Sequence, residues 1–227
     1  IFEKQSFVLA VRKNLAFMAE MKAKLGFEAD SLNMGGGFGI WYAEGDAMID
    51  VDGYADYLRA LISTVKEGCE ELGLRLPYLY LEPGRSIVGE AGITLYTVGA
   101  IKEIPGIRKY IAIDGGMFDN PRYALYQSKY TAILANRAAE DATELVSIAG
   151  KCCESGDLIG VDFNLPKANT GDILAVLSTG AYNYSMASNY NRNLIPPVVL
   201  VKDGKAEYRV KPQSYEDLVG NGTIPDR

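Results

Sequence analysis

Two stretches with apolar side chains at helical spacing dominate the first third of the chain. Residues 4–25, and residues from about Tyr54 to Leu72, carry an apolar residue every three or four positions, which predicts two amphipathic helices. Each pattern ends in a leucine followed by a glycine, Gly26 and Gly73, and glycine readily takes the left-handed conformation that closes a helix. The apolar positions are Val8, Val11, Leu15, Met18 and Leu25 in the first stretch, and Tyr54, Leu58, Leu61, Val65, Cys69 and Leu72 in the second.

A short apolar run follows each predicted helix, and a glycine-containing loop follows each run. Residues 31–34 and 78–81 have the length and flanking turn residues of brief strands, and they lead into Gly35–Gly39 and Glu82–Arg85. This repeated order of helix, strand and loop is typical of a parallel α/β layer. Two such strands cannot close a sheet, so a barrel of this kind requires further strands.

The pattern changes after Gly92 to short β-rich runs separated by turn residues. Asp203-Gly204 lies between two of these runs and predicts a hairpin. The spacing favours a mostly antiparallel β-sandwich or barrel, with the domain boundary near residue 90 and a final helical turn at 214–218. The predicted strands cover residues 93–104, 110–113, 144–149, 158–161, 173–177, 198–201 and 208–210.

Composition narrows the functional classes. The net charge of −6 argues against nucleic acid or an anionic membrane as the main partner. No apolar stretch reaches the roughly 18 residues of a membrane helix, and three cysteines do not form a disulfide framework, so we expect a cytoplasmic protein. The chain contains no histidine, which removes the commonest metal ligand and general base, and we expect no metal site.

Two loops at the ends of the predicted parallel strands carry candidate chemistry. Glu82 and Arg85 flank a Pro-Gly turn at the usual ligand edge of a parallel sheet, although an ion-paired turn is an alternative. The N–H groups of Gly35–Gly37 could bind a phosphate, with Arg85 neutralising it, although a flexible loop is again possible. The glycines lack the spacing of a dinucleotide fingerprint and the Gly-Lys-Ser/Thr of a Walker loop.

Three later stretches also combine turn residues with reactive side chains. In residues 114–126 a turn explains the first part but not Arg122 and Tyr126, which could bind a carboxylate together. Residues 150–157 place a thiol beside a carboxylate, with a buried structural cysteine as the alternative. In residues 180–182 the phenol hydroxyl of Tyr182 could donate to a phosphate, with a tyrosine buried in the core as the alternative.

The five stretches together resemble one family. Gly35–Gly39, Glu82–Arg85, Asp114–Met117, Cys153–Asp157 and Gly180–Tyr182 occur in the order found in the pyridoxal-phosphate-dependent basic amino-acid decarboxylases with the alanine-racemase type of fold. Each motif alone is weak, but five in the same order along nearly the whole chain are specific. The most similar members are those that act on diaminopimelate.

The resemblance implies both a fold and an activity. Residues 1–90 would be the C-terminal part of a pyridoxal-phosphate-binding (β/α) barrel of the TIM type, and residues 91–227 the C-terminal β domain. The activity would be decarboxylation of meso-diaminopimelate to L-lysine, because Glu154 and Arg122 suit a substrate with a distal ammonium and a distal carboxylate. The alternatives are decarboxylation of ornithine, arginine or a polyamine precursor, or a non-catalytic homologue that binds partners of the active enzyme.

The resemblance also implies roles for individual residues. Glu82 would pair with the pyridine nitrogen of pyridoxal 5'-phosphate, and Cys153 would deliver a proton to the carbanion. Cys153 and Glu154 would reach the active site across the interface of a homodimer. The implied cofactor-binding residues are Gly35, Gly36, Gly37, Glu82, Gly84, Arg85 and Tyr182. The implied substrate-binding residues are Arg85, Arg122, Tyr126 and Glu154.

The sequence departs from the family in two respects. The family forms its Schiff base on a lysine within a Tyr-Ala-x-Lys type of motif and stacks a histidine on the cofactor ring, and the chain has neither. We therefore expect this chain to be the C-terminal portion of a protein about twice as long, which requires the missing N-terminal barrel portion as a partner. We expect the chain alone to be inactive, because the covalent anchor is missing.

Overall fold

The computed structural model describes residues 1–223, which divide into two compact units. Unit 1 comprises residues 1–41 and 45–90, and unit 2 comprises residues 42–44 and 91–223 of the described chain. The division after Glu90 falls where the sequence pattern changes. None of the helices in residues 1–223 is long and apolar enough to cross a membrane.

Unit 1 consists of helices that alternate with very short strands. The first helix ends at Gly26, whose φ of 65° is the left-handed conformation predicted for it. The second helix begins earlier than predicted, because the side chain of Asp50 accepts a hydrogen bond from the Gly53 N–H and caps its N-terminus. The elements are α1 (Lys4–Leu25), β1 (Ser31–Asn33), α2 (Val51–Glu71), β2 (Tyr78–Tyr80) and α3 (Gly84–Val88).

The two strands of unit 1 are paired in parallel, as predicted. Asn33 lies opposite Tyr80 at the carboxyl ends of β1 and β2, so the two following loops start side by side. The segment after Pro83 is a short helix rather than the bare turn expected from Pro-Gly, since Gly84 opens α3.

The core of unit 1 lies between its two long helices. The buried face of α1 uses Phe7 in place of the expected Val8, and Leu25 is exposed. On α2, Tyr57 is buried, whereas Leu58 and Leu72 are 37% and 44% exposed. The buried cluster contains Phe7, Val11, Leu15, Met18, Leu32, Phe38, Tyr57, Leu61, Val65 and Cys69.

Unit 2 is built on one six-stranded sheet and a separate hairpin. The strands of the sheet follow the order β5-β8-β3-β4-β6-β7, and every pairing is antiparallel except that of β4 with β6. The outermost strands, β5 and β7, also approach each other, so the mixed sheet is nearly closed around its core. The strands are β3 (Thr94–Ile104), β4 (Arg108–Ile113), β5 (Ala132–Leu134), β6 (Glu144–Ala149), β7 (Leu158–Leu165), β8 (Ile173–Val176), β9 (Val198–Lys202) and β10 (Lys205–Val210).

Three short helices complete unit 2, and the hairpin has the predicted turn. Asp203 and Gly204 both have positive φ angles, 52° and 72°, which is the geometry of a type I′ turn between β9 and β10. Strand β5 and the helices at 122–126 and 183–186 were not predicted, because three to five residues are too few to show a repeating apolar pattern. The helices are α4 (Arg122–Tyr126), α5 (Asn183–Met186) and α6 (Tyr215–Val219).

Candidate functional site

The loops that follow β1 and β2 are hydrogen-bonded to each other. The N–H of Glu82 donates to the Gly35 carbonyl at 2.7 Å, and the N–H of Met34 donates to the Tyr80 carbonyl at 3.0 Å. A Cβ atom at Gly36 would overlap the carbonyl oxygen of Glu82. Only glycine therefore allows the two backbones to pack this closely.

Asn33 orients both loops, and sequence reasoning gave it no role. Its Nδ2 donates to Oε1 of Glu82 at 2.7 Å, and its Oδ1 accepts the Gly35 N–H at 2.8 Å. The amide thus fixes the Glu82 carboxylate relative to the glycine loop. Its position at the end of a predicted strand, two residues before Gly35, was a signal in the sequence.

The glycine loop has the geometry of an anion site. Gly35 and Gly37 have φ angles of 67° and 84°, and successive residues of alternating handedness turn their N–H groups toward one side. Within residues 1–223, the N–H groups of Gly36 and Gly37 donate to no protein acceptor. The loop is held at its far end by the Tyr54 hydroxyl, which donates to the Gly39 carbonyl at 2.8 Å. A phosphate fits these donors.

The charge of the Arg85 guanidinium is felt at this loop. The amino group of Ile1 donates to the Gly37 carbonyl at 2.8 Å. Partial burial lowers the pKa of this amino group, and the nearby Arg85 guanidinium lowers it further. The charge of Arg85 therefore acts at the glycine loop, where it would favour a bound anion.

In unit 2, Arg122 is a buried guanidinium surrounded by tyrosines. Its Cζ lies 4.9 Å from the ring centre of Tyr182 and 5.8 Å from those of Tyr42 and Tyr126. Arg122 is 8% exposed, and its Nη2 donates to the Ser128 hydroxyl at 3.4 Å. Among the described residues no carboxylate forms an ion pair with it, and its Nε has no hydrogen-bond acceptor.

This arrangement brings together Arg122 and Tyr126, as the sequence indicated, and adds Tyr42, which the sequence did not. Tyr42 belongs to the three-residue segment that clusters with unit 2, and its ring meets that of Tyr130 edge-on at 5.4 Å. A buried positive charge without an acidic partner is costly, so the Arg122 guanidinium is suited to pairing with a ligand carboxylate.

Tyr182 has a strained backbone. Its φ of 73° and ψ of −46° lie in a region that residues other than glycine rarely occupy. The side chain is 41% exposed, so it is not the core tyrosine that the sequence left open. Such strain is common where a side chain is held for a ligand.

The loop between β6 and β7 presents Cys153 and Glu154 at the surface. Both side chains are exposed, and the Cys153 N–H donates to Oδ1 of Asn191 at 2.9 Å. Cys152 is half-buried, and burial together with the nearby charge of Asp157 raises its pKa to about 11, so it remains a thiol at neutral pH. The alternative of a buried structural cysteine in this loop is therefore wrong for both Cys152 and Cys153. Among the described residues, the buried free cysteine is Cys69 in α2.

A buried carboxylate, Asp119, lies before α4. The Tyr96 hydroxyl and the Gly116 N–H both donate to it. Burial raises its pKa to about 6, against the lowering effect of these hydrogen bonds. The turn residues of segment 114–126 predicted only a turn there, and the sequence indicated no role for Asp119.

Comparison with known proteins agrees with the motifs. The family model described as "Pyridoxal-dependent decarboxylase, C-terminal sheet domain" matches residues 9–180. A diaminopimelate decarboxylase of Halalkalibacterium halodurans is 52% identical over 219 residues, which cover 96% of this chain and 49% of that protein. One from Bacillus subtilis is 51% identical over the same shares of both chains.

A solved structure shows the same fold. The crystal structure of diaminopimelate decarboxylase from M. jannaschii in complex with L-lysine has a TM-score of 0.87 and 36% identity, over 99% of this chain and 50% of that one. The chain spans about half the length of the curated relatives it matches. On the family match and these identities, the chain belongs to the family of pyridoxal-dependent decarboxylases.

Proposed function

We propose that this chain supplies the C-terminal half of a diaminopimelate decarboxylase, which converts meso-diaminopimelate to L-lysine. Residues 1–90 are the last βα repeats of a TIM-type barrel, and residues 91–227 are the β domain. The parallel pairing of β1 and β2, with α2 between them, supports the first assignment. The similarity to a decarboxylase solved with L-lysine supports the assignment of residues 91–227 as the β domain. It also supports L-lysine as the product.

The observation that carries the proposal is the direct bonding of the glycine loop to the Glu82 segment. The N–H groups of Gly36 and Gly37 form the receptor for the cofactor phosphate, with Arg85 supplying charge and Gly84 leaving space beside it. Glu82, held by Asn33, faces the pyridine nitrogen. When bound, pyridoxal phosphate supplies the electron sink that accepts the pair left as CO₂ departs, and Glu82 holds a proton at its nitrogen.

The residues of unit 2 bind the substrate. Arg122 receives a substrate carboxylate, and Tyr126 and Tyr182 enclose the guanidinium so that the ion pair forms away from water. The family resemblance further implies that Arg85 contributes to substrate binding and that the Tyr182 hydroxyl contributes to binding of the cofactor phosphate.

Cys153 and Glu154 act across the interface of a homodimer. Both side chains are exposed on one loop, as expected for groups that complete the site of another subunit. Glu154 receives the distal ammonium of the substrate, and Cys153 gives a proton to the carbon from which CO₂ has left. The free cysteines in residues 1–223 support a reducing, cytoplasmic location.

A complementation assay tests the proposal. The chain is mixed with pyridoxal phosphate and the N-terminal half of the Bacillus subtilis enzyme, and CO₂ release is measured from meso-diaminopimelate. We expect release from the mixture, none from the chain alone, and none when Arg122→Gln replaces the wild type. Arg192→Gln, at an exposed arginine outside the cluster of tyrosines around Arg122, is the matched control and retains activity.

Other outcomes identify the alternatives. Preferential turnover of ornithine or arginine would assign a different substrate, and association without turnover would favour a non-catalytic homologue. Borohydride reduction that fixes cofactor on one specific lysine of the chain alone would contradict the requirement for an anchor supplied from outside.

A further inference from the structure

Asp157 is a buried carboxylate that the proposed chemistry leaves unused. It is 4% exposed and directly precedes β7. One carboxylate oxygen accepts the Met117 N–H and the other accepts the Cys152 N–H, each at 2.6 Å. A single side chain thus joins two loops whose contacted residues lie 40 and 5 positions away along the chain.

Backbone hydrogen bonds complete this connection. The Gly150 N–H donates to the Asp157 carbonyl at 2.8 Å, and the Asp157 N–H donates to the Glu154 carbonyl at 3.1 Å. The Lys151 N–H donates to the Gly115 carbonyl at 3.0 Å, directly between the two loops. We call the set formed by residues 115–117, residues 150–154 and Asp157 the clasp.

The loops are shaped around the carboxylate. A Cβ atom at Gly116 would lie 2.7 Å from both carboxylate oxygens, and one at Gly150 would overlap them. No lysine or arginine of the described residues forms an ion pair with Asp157. The carboxylate is therefore held by hydrogen-bond donors of the two loops rather than by a cationic side chain, and hydrogen bonds to a carboxylate are strong and directional.

The clasp connects the two parts of unit 2 to which the proposed function assigns chemistry. On one side it fixes Cys152, next to Cys153 and Glu154. On the other side Gly116 accepts the N–H of Asn120 at 2.9 Å, and this turn leads directly into Arg122.

We infer that Asp157 is a positioning residue, which holds the Cys153–Glu154 turn in a fixed place relative to the loop that carries Arg122. The inference rests on the proposed function for the roles of these three side chains. The geometry of the clasp itself does not depend on it.

Amide hydrogen exchange on the full 227-residue chain, read by NMR, tests the clasp. In Asp157→Ala we expect the Met117 and Cys152 amides to exchange at least about tenfold faster, because both lose a buried acceptor. In Asp157→Asn the side chain keeps one acceptor oxygen, so only one of the two amides should lose protection. Asp162→Asn removes an exposed carboxylate five residues along the chain and should leave both amides unchanged.

Two exchange results would overturn the inference. One is unchanged protection of both amides in Asp157→Ala. The other is an equal loss of protection at Val146 and Ile159 in the core strands, in either variant, since that would make Asp157 a residue of general stability.

Kinetics of the complemented enzyme separate positioning from structure. We expect Asp157→Asn to lower kcat at least about tenfold with a smaller change in KM, and to leave the Kd for pyridoxal phosphate unchanged. Unchanged kcat despite a loosened clasp would overturn the positioning role. Absence of activity in the complemented wild type would count against the proposed function, while the exchange data would still decide whether the clasp exists.

Discussion

At the scale of the residue, unit 2 concentrates buried charge beside its candidate site. Arg122, Asp119 and Asp157 are all nine-tenths buried or more. Both oxygens of each carboxylate accept a hydrogen bond. Arg122 lacks an acidic partner among the described residues. This difference is consistent with a structural role for the two carboxylates and with the substrate-binding role proposed for Arg122.

The raised pKa of Asp119 predicts how the stability of the protein depends on pH. Because its folded-state pKa of about 6 exceeds the ordinary value of 3.8, the folded protein binds this proton more tightly than the unfolded chain does. Its contribution therefore lowers the free energy of unfolding as pH rises from about 4 to about 6, and is constant above that range. Asp119→Asn, which mimics the neutral acid, removes this slope.

The measurement is urea denaturation of both proteins at several pH values. The stability of the variant relative to wild type should rise between about pH 4 and 6 and then level off. Subtracting the wild-type free energy of unfolding at each pH removes the contribution of other carboxyls. One of these is Asp172, whose pKa is lowered by its hydrogen bonds. Asp162→Asn is the control and should follow wild type, whereas a pH-independent difference for Asp119→Asn would contradict the prediction.

At the scale of the element, the candidate cofactor site depends on two strand ends packed backbone against backbone. Gly36 is the closest point of that packing, since the carbonyl of Glu82 occupies the place of a Cβ. The site is thus a property of the β1–β2 pair rather than of either loop alone.

We predict that Gly36→Ala destabilises unit 1 by about 1–3 kcal/mol and weakens pyridoxal phosphate binding, because the two loops must separate. Urea denaturation followed by the fluorescence of Trp41, the single tryptophan, measures the first effect. Gly84→Ala is the matched control, because a Cβ there meets no atom within 4 Å. The free energy of unfolding of this variant should stay within about 0.5 kcal/mol of the wild-type value. Equal losses in both variants would show that packing against Glu82 is not the cause.

At the scale of the whole molecule, the two units differ in how completely they bury their apolar residues. Unit 2 encloses a core of fifteen buried residues within a nearly closed sheet. In unit 1 the two-stranded sheet leaves large side chains exposed, including Phe17 at 59%, Phe27 at 60% and Tyr78 at 75%.

We therefore predict that a truncated chain of residues 91–227 folds cooperatively, whereas residues 1–90 alone self-associate. Circular dichroism and size-exclusion chromatography of the two pieces measure this. A monomeric, cooperatively unfolding 1–90 piece would contradict the interpretation that unit 1 is an incomplete barrel.

The sequence by itself determined the features that depend on neighbouring residues. Helices α1 and α2 follow from apolar spacing, the end of α1 from Gly26, and the β9–β10 turn from Asp203-Gly204, because local backbone preference sets each of them. The five ordered motifs were sufficient to identify the family.

Only the tertiary structure decided which distant residues meet. The parallel pairing of β4 with β6, the place of Tyr42 beside Arg122, and the bond from the Met117 amide to Asp157 all join residues far apart along the chain. No local pattern encodes such pairs, because their stability comes from burial and hydrogen bonding that exist only once the sheet has formed.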